Sequence, residues 1–271
     1  MKPLVIYQTV SHLFSNPYNV GQTLSVLKDK HKQMINRLSK LGFILLMLMA
    51  LTLNGQNRHT SWNNQLAEFV TDNGDVNYEA WKKEIQALDS YLNQLSNSSV
   101  ESFDKAEAMA FWINAYNAFT IKLILDHYPL ESIMELDNGK IWDRKWISMG
   151  SQILSLNDIE HEILRKEYPD PRIHFAVNCA AKSCPPLHNL AFTAKQLEKM
   201  LEERTALFIN DSSYNQFTKK AIYLSQIFNW YRGDFPENLQ AYLLRYLKSP
   251  TSNKLPNEIL YNEYDWNLNK Q

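Results

Sequence analysis

The sequence predicts an α+β fold: one helix-rich domain with a small sheet in its second half. Apolar residues recur at helical spacing through most of residues 60–128. Short apolar runs bounded by turn residues follow in the second half, as is typical of strands. No repeat, low-complexity segment or Gly/Pro-rich linker interrupts the chain after Gln56, so we expect a single globular domain over residues 56–271.

Amphipathic helices are predicted at the start of this domain. Trp62, Leu66 and Phe69 sit about one helical turn apart. After a turn at residues 72–75, residues 78–95 carry their apolar side chains on one face. Both segments are therefore expected to pack one side against a core.

The strongest helix is predicted over residues 104–128. Asp104 is a good N-cap with Glu107 three residues later, and Pro129 cannot continue the helix. Residues 108–125 are apolar almost all round, which is typical of a helix buried at the centre of a domain.

Shorter elements are predicted in the second half. A helix over residues 157–166 has Asn157 and Glu160 in capping-box positions. The other predicted elements are strands at residues 142–149, 172–178 and 217–224, and helices at residues 193–209, 226–231 and 239–247.

The N-terminal 55 residues differ in composition from the rest. They hold six of the 28 basic residues and one of the 29 acidic ones, which leaves a net charge of −6 on the remainder. An acidic body gives no support to nucleic-acid binding, which needs a basic face. Arg37 and Lys40 precede an apolar run at residues 41–53, and small or polar residues follow. This pattern predicts a signal peptide at residues 34–55, because the run is short of the roughly 20 residues that span a membrane.

Three expectations depend on this signal. Residues 1–33 are interpreted as a mis-assigned start with no fold of their own. The mature protein begins between Asn54 and Arg58 and is exported, to the periplasm or outside the cell. The export signal is then its sole contact with a membrane; the alternative is a single membrane anchor in the same segment.

Polar residues in two predicted helices are the first site candidates. Asn114 and Asn117 share one face of the apolar helix, where a buried amide needs partners, so they belong either to a polar site or to a structural hydrogen-bond network. His161 falls in the first turn of its helix, where the helix dipole disfavours a protonated imidazole. A neutral His161 could be a general base or a packed histidine.

Cys179 and Cys184 are the chain's two cysteines, and three interpretations compete for them. A disulfide fits an exported protein. A metal site could use His174, Cys179, Cys184 and His188, although the spacing matches no familiar zinc pattern. In the third, Cys179 is a nucleophile whose proton goes to His161 and whose thiolate is favoured by the charge of Lys182.

In the nucleophile hypothesis, Asn114 or Asn117 orients the imidazole or donates to the oxyanion. Cys179 is then expected to be reduced and to alkylate faster at neutral pH than an ordinary thiol.

Four segments together resemble the family catalogued as domain of unknown function 547. They are FWINAYNA (111–118), LSLNDIEHEILR (154–165), DPRIHFAVNCAAKSCPPL (170–187) and YDWNLN (264–269). The resemblance covers most of residues 75–269 and implies a single domain, found in exported bacterial proteins and as a module of larger plant proteins. It also implies that Asn114, Asn117, His161 and Cys179 are shared positions, but it implies no established activity.

A buried helix followed by a small sheet also looks loosely like papain-type or transglutaminase-type thiol enzymes. The order of residues departs from theirs, because in those enzymes the cysteine lies on the helix and the histidine follows. Here Asn114 lies on the helix and Cys179 follows His161.

The functional expectation is a cysteine-dependent hydrolase or acyltransferase that acts on a peptide, amide or ester, with no cofactor implied. The alternative is a non-enzymatic binding module that holds a small molecule, peptide or glycan on aromatic residues such as Trp142, Trp146 or Trp230.

Overall fold

A computed structural model describes residue 28 and residues 30–43, 58–248 and 254–271. Two compact units divide the chain, residues 1–54 and residues 55–271. In the first, residues 30–43 are helical. The rest of the predicted signal, the expected cleavage region up to residue 57 and most of residues 1–33 lie outside the described residues.

The second unit is α+β and helix-rich, as predicted. Its α-helices are α1 (Thr60–Phe69), α2 (Tyr78–Lys83), α3 (Ile85–Ser96), α4 (Lys105–His127), α5 (Leu197–Asn210), α6 (Ile227–Trp230) and α7 (Leu239–Tyr246). Its strands are β1 (Ile147–Met149), β2 (Gln152–Leu154), β3 (Gln216–Phe217), β4 (Ala221–Leu224) and β5 (Glu258–Tyr261).

Helix α4 is the centre of the larger of two apolar cores. The Asp104 side chain caps it by accepting a hydrogen bond from the Glu107 backbone N–H at 2.8 Å, as the sequence predicts. Residues 108–121 are all buried, and α3 packs against the helix. Its length and composition would also suit a membrane span, but 94% of its apolar window is buried inside this unit.

The smaller core lies between α5, α6, α7 and a three-stranded sheet of order β3-β4-β5. Strands β3 and β4 form an antiparallel hairpin within the predicted strand at 217–224, whereas β5 adds in parallel to β4 with Ala221 opposite Glu258. The sequence analysis missed β5. Strands β1 and β2 form a separate antiparallel hairpin around Gly150 and Ser151.

Several predicted elements differ in the structure. The strand predicted at residues 142–149 is confined to β1, because residues 141–143 form a 3-10 helix. Residues 172–178 are not a strand: Pro171–Phe175 is a 3-10 helix, capped by the Asp170 carboxylate, which accepts from the Arg172 N–H. The short apolar run in this segment is buried on all sides, so its periodicity does not distinguish a strand from a helix. The Asp170-Pro171 pair, in contrast, is typical of the start of a helix. The predicted helix at 78–95 is broken at Glu84 into α2 and α3.

The helix after β2 is capped at Ser155, earlier than predicted, and its residues Asp158–Leu164 are wound as a π-helix. Its cap is the pair Ser155 and Asp158, not Asn157 and Glu160. The Asp158 carboxylate accepts from the Ser155 N–H at 2.7 Å, and the Ser155 hydroxyl accepts from the Asp158 N–H at 3.0 Å. This start fixes which side chains of the segment face inward.

Candidate functional site

A small cleft of about 150 Å³ lies where the two cores meet. Both predicted cysteines line it, together with His174, one of the five candidate histidines and asparagines. The lining residues are Tyr116, Trp142, Asn157, Glu160, His174, Val177, Cys179, Cys184, Pro185, Ile227, Trp230, Tyr231, Tyr264 and Trp266. A cavity of this size admits a group about as large as a benzene ring.

Cys179 and Cys184 are brought together by a tightly bent loop. Ala180 adopts a left-handed backbone conformation with φ of 66°, which is rare outside glycine and reverses the chain directly after Cys179. The Asn178 side chain spans the loop: its amide oxygen accepts from the Ala180 N–H and its amide nitrogen donates to the Pro185 carbonyl. The bend therefore directs both sulfur atoms toward the cleft.

The C-terminal segment closes this loop from outside. The Lys182 N–H donates to the Asn267 carbonyl, and the Ser183 N–H donates to the Asp265 carbonyl. Ala181 and Leu268 form an isolated β-bridge. Residues 264–269 thus hold the cysteine loop in place from the other end of the domain.

Both cysteines are free, and their sulfur atoms lie 2.9 Å apart. Cys184 is buried, while Cys179 is half-buried. Hydrogen bonds from Cys184, the Tyr264 hydroxyl and the Ala181 N–H lower the pKa of Cys179, although burial opposes them. Burial raises the pKa of Cys184 well above its ordinary value, so Cys179 is the thiol of the pair that ionises first.

Lys182 does not supply this stabilisation. Its side chain is exposed, and the groups that lower the pKa of Cys179 are neutral donors. The Lys182 side chain points outward, because the Lys182 backbone N–H is hydrogen-bonded to the Asn267 carbonyl.

His174 is the histidine that lines the cleft with Cys179. Its Nε2 lies 2.7 Å from Asp234 Oδ2, and its ring stacks on Tyr231 with centroids 3.9 Å apart. A carboxylate only accepts hydrogen bonds, so Nε2 carries the proton. Nδ1 is buried from solvent and has no hydrogen-bond partner among the described residues, so a proton can reach it only from a molecule that enters the cleft against it.

Asp234 is held as a carboxylate by two donors. Hydrogen bonds from His174 and then from Arg165 keep the pKa of this carboxyl well below its usual range. The Arg165 guanidinium is bidentate, with Nε at 2.6 Å from Oδ2 and NH2 at 2.8 Å from Oδ1. Asp234 thereby fixes the ring of His174 and its tautomer.

His161 is placed differently from the nucleophile hypothesis. It does not line the cleft, and its Nδ1 lies 3.2 Å from an Arg165 nitrogen rather than near Cys179. Arginine can only donate, so Nδ1 accepts this hydrogen bond. Because neighbouring helical residues point in different directions, the segment that begins at Ser155 turns Glu160 inward and leaves His161 a third exposed.

Asn114 and Asn117 both bind backbone. The Asn114 amide donates to the Phe192 carbonyl and accepts from the Phe192 N–H, at 2.8 and 3.0 Å. The Asn117 amide donates to the Ala176 carbonyl and accepts from the Asn178 N–H, both at 2.9 Å. They form the structural network that was one of the two expectations, and Asn117 anchors the strand-like stretch that leads into Cys179.

The metal-site alternative is not supported by the geometry. Within the described parts of the chain, no three His, Cys, Asp or Glu side chains come together as metal ligands. His188 lies beyond Pro185 and Pro186 with its ring against Phe192, outside the cleft lining. Burial, helped by Arg204, lowers the pKa of His188 to about 4.

Aromatic rings form one wall of the cleft. Tyr264 contacts Trp266 and Trp230, with ring centroids 4.5 and 4.7 Å apart, and Trp142 packs edge-on against Trp266. Trp230 is 48% exposed. Trp146 lies elsewhere, against Phe119 in the larger core.

Sequence reasoning missed Asp234, Tyr231 and Tyr264 as parts of the site, and it assigned Glu160 only a capping role. Asp234 and Tyr231 carry no local signal, because their partners lie far away in the sequence. Tyr264 does carry one: it opens the YDWNLN segment, whose aromatic residues fold over the cysteine loop.

Comparison with known proteins identifies the family. The sequence family described as "Protein of unknown function, DUF547" matches residues 100–209, which include three of the four motifs. No curated protein and no solved structure matches the chain. The resemblance is thereby confirmed over residues 100–209, which match the DUF547 family.

Proposed function

We propose that this chain is an exported cysteine-dependent hydrolase or acyltransferase that acts on an amide or ester, with Cys179 as its nucleophile. One observation carries the proposal: a cysteine whose hydrogen-bond donors lower its pKa and a histidine oriented by a carboxylate line the same cleft. Perturbed thiols and oriented imidazoles in a cleft are typical of covalent catalysis. Export rests on the basic-apolar-small pattern of residues 34–55.

The chemistry takes two steps. The Cys179 sulfur bonds to the substrate carbonyl carbon, and the bond to the leaving oxygen or nitrogen breaks, with a proton taken from water. In the second step, water or an acceptor alcohol or amine that lies against His174 gives its proton to Nδ1 and displaces the sulfur as a thiolate. The imidazolium then returns a proton to the solvent in place of the one taken in the first step. Asp234 stabilises the imidazolium that forms, and the Tyr116 phenol, which burial keeps protonated, lines the cleft as a donor to the oxyanion.

The test uses p-nitrophenyl acetate, whose leaving group needs no protonation. We expect an acetyl adduct on Cys179 by mass spectrometry and none in Cys179→Ala. His174→Gln retains the shape of the site but loses the proton acceptor, so we expect turnover to fall by roughly 10²–10⁴-fold while the adduct accumulates. An adduct that forms equally in Cys179→Ala would contradict the proposal.

The second candidate is a binding module, and the aromatic wall favours it. Trp230 and Tyr264 form a partly exposed surface suited to a glycan or an aromatic peptide side chain. If binding is the whole function, Cys179→Ala retains affinity for the ligand while Trp230→Ala loses it. Glycan and peptide arrays with both variants separate this candidate from the enzyme.

A further inference from the structure

Glu160 places a buried negative charge in the cleft. Its residue surface is 5% exposed, and it lines the cavity together with Cys179. Oε1 accepts a hydrogen bond from the Tyr231 hydroxyl at 2.6 Å, and no described hydrogen bond uses Oε2. Glutamates are almost never this deeply buried unless they are paired with a cation or a metal.

The cations nearest to Glu160 are already engaged. Arg165 directs its guanidinium to Asp234 and to His161 Nδ1. His161 Nδ1 lies 3.9 Å from Glu160 Oε1, but it accepts from Arg165 and therefore donates no hydrogen bond to Glu160. The charge of Glu160 is left without a bound cation among the described residues.

The rest of the cleft suits a positive ligand. Tyr116, Tyr231 and Trp142 line it beside Glu160, and aromatic faces attract ammonium groups. Cys179, whose hydrogen-bond donors favour its ionised form, lies on the same lining. A volume of about 150 Å³ accommodates one small group rather than a long chain.

We propose that Glu160 and these aromatic rings bind a primary ammonium group, so that the acyl substrate of Cys179 carries a free amine close to the bond that is cleaved. This substrate class rests on the proposed function of Cys179. Peptides with a free α-amino group and amino-acid esters belong to it, whereas acids and N-acylated analogues do not.

The experiment compares alkylation of Cys179 by reagents of different charge, because this readout does not require turnover. The reagents are 2-bromoethylamine, iodoacetamide and iodoacetate, and each rate is divided by that of N-acetylcysteinamide. The cation-to-neutral ratio is the rate with 2-bromoethylamine divided by the rate with iodoacetamide. For Cys179 we expect this ratio to be about tenfold higher than for the reference thiol, which corresponds to about 1.4 kcal/mol. The normalised rate with iodoacetate, divided by the normalised rate with iodoacetamide, is expected to fall below one.

Glu160→Gln retains the size of the side chain and an acceptor for the Tyr231 hydroxyl. In this variant the cation-to-neutral ratio is expected to return to that of the reference thiol. Glu162→Gln is the matched control, since it removes an exposed carboxylate of the same segment that pairs with Lys166, and its ratio is expected to equal that of the wild type. A preference that survives Glu160→Gln, or a wild type without preference, overturns the inference.

A measurement on the wild type alone covers the case in which Glu160→Gln does not fold. Ethylammonium chloride is expected to slow iodoacetamide labelling of Cys179, whereas sodium chloride at equal ionic strength is not; equal effects of both salts overturn the inference. The two proposals fail in different ways. Absence of labelling by neutral iodoacetamide in native protein contradicts the reactive thiol, whereas labelling without charge preference contradicts only the ammonium subsite.

Discussion

At Cys179, three neutral donors surround the sulfur: the Cys184 thiol, the Tyr264 hydroxyl and the Ala181 N–H. Thiol enzymes commonly use a protonated histidine for this purpose. Here the imidazole of His174 is bonded to Asp234 instead and remains available as an acceptor. The thiolate and the base are thus prepared by separate sets of neighbours.

The first prediction concerns the pH dependence of this thiolate. Removing Cys184 in Cys184→Ala deletes the donor that lowers the pKa of Cys179 most, so that pKa is expected to rise. The midpoint of iodoacetamide labelling against pH then moves upward. Tyr264→Phe is expected to shift it in the same direction but less, and Tyr223→Phe on β4 is the matched control without a shift. An unchanged midpoint in Cys184→Ala would exclude the hydrogen-bond account.

A second prediction concerns oxidation of the same pair. Since the sulfur atoms already lie 2.9 Å apart, diamide is expected to join Cys179 and Cys184, with loss of two hydrogens from the protein and reduction of diamide to its hydrazine. The bridge blocks labelling and turnover, and dithiothreitol restores both. Peptide mass mapping identifies the bridge, and Cys184→Ala, which cannot form it, is expected to be inactivated more slowly.

Among the elements, the turn after α1 sets the position of the cysteine loop. Gly74 has φ of 85°, and a Cβ built there would lie 2.6 Å from Pro186 Cβ and 2.8 Å from the Leu187 nitrogen. The Gly74 carbonyl also accepts from the Asn269 amide at 3.1 Å. This turn therefore contacts both the loop that follows Cys184 and the C-terminal segment.

The third prediction compares two glycines that both have a left-handed backbone conformation. Gly150 has φ of 59° with open space around its Cβ position. Gly150→Ala is expected to lower the free energy of unfolding by about 1 kcal/mol, from the left-handed backbone alone. Gly74→Ala adds a steric clash with backbone and is expected to cost roughly 2–4 kcal/mol. Urea denaturation of both variants measures the difference, and equal losses would contradict the close approach.

The elements differ in how far the sequence determines them. Helix α4 was predictable because Asp104 and Pro129 mark its ends locally. The conformation of residues 171–175 was not, because a short apolar run buried on all sides satisfies a strand and a helix equally. Strand β5 was not either, because its pairing with β4 depends on a crossover and not on its own pattern.

The candidate site residues also divide into those with a local sequence signal and those defined by distant contacts. Residue type alone singled out Cys179, Asn114 and Asn117. The choice between His161 and His174 depends on Asp234, which is 60 residues from His174 in sequence and shows no motif of its own. Such a partner is defined only by the packing of the two cores.

For the whole domain, buried histidines govern stability in acid. The Nδ1 of His59 lies 2.7 Å from the Tyr91 hydroxyl, and burial, followed by the charge of Arg58, lowers the pKa of His59 to about 3. An unfolded histidine titrates near 6.5. Between these values the unfolded chain binds a proton that the folded chain does not, so acid favours unfolding.

The fourth prediction follows from this difference. As pH falls from about 6.5 toward 4, the free energy of unfolding is expected to fall by up to about 1.4 kcal/mol per pH unit through His59. In His59→Gln this contribution disappears, and the slope is expected to be shallower by that amount. Urea titrations at several pH values measure both slopes. A variant slope equal to that of the wild type would show that His59 is not the group responsible.

The contact of the Tyr264 hydroxyl with Cys179 has a consequence for the synthesis of the chain. It reaches Cys179 across 85 residues of sequence. At 5–20 residues per second, a ribosome needs on the order of ten seconds to make that intervening stretch. During this interval the emerging polypeptide carries both sulfur atoms without the segment that completes their surroundings. The surroundings of Cys179 are thus completed only once the C-terminal segment has been made, and an unfinished chain lacks the Tyr264 donor.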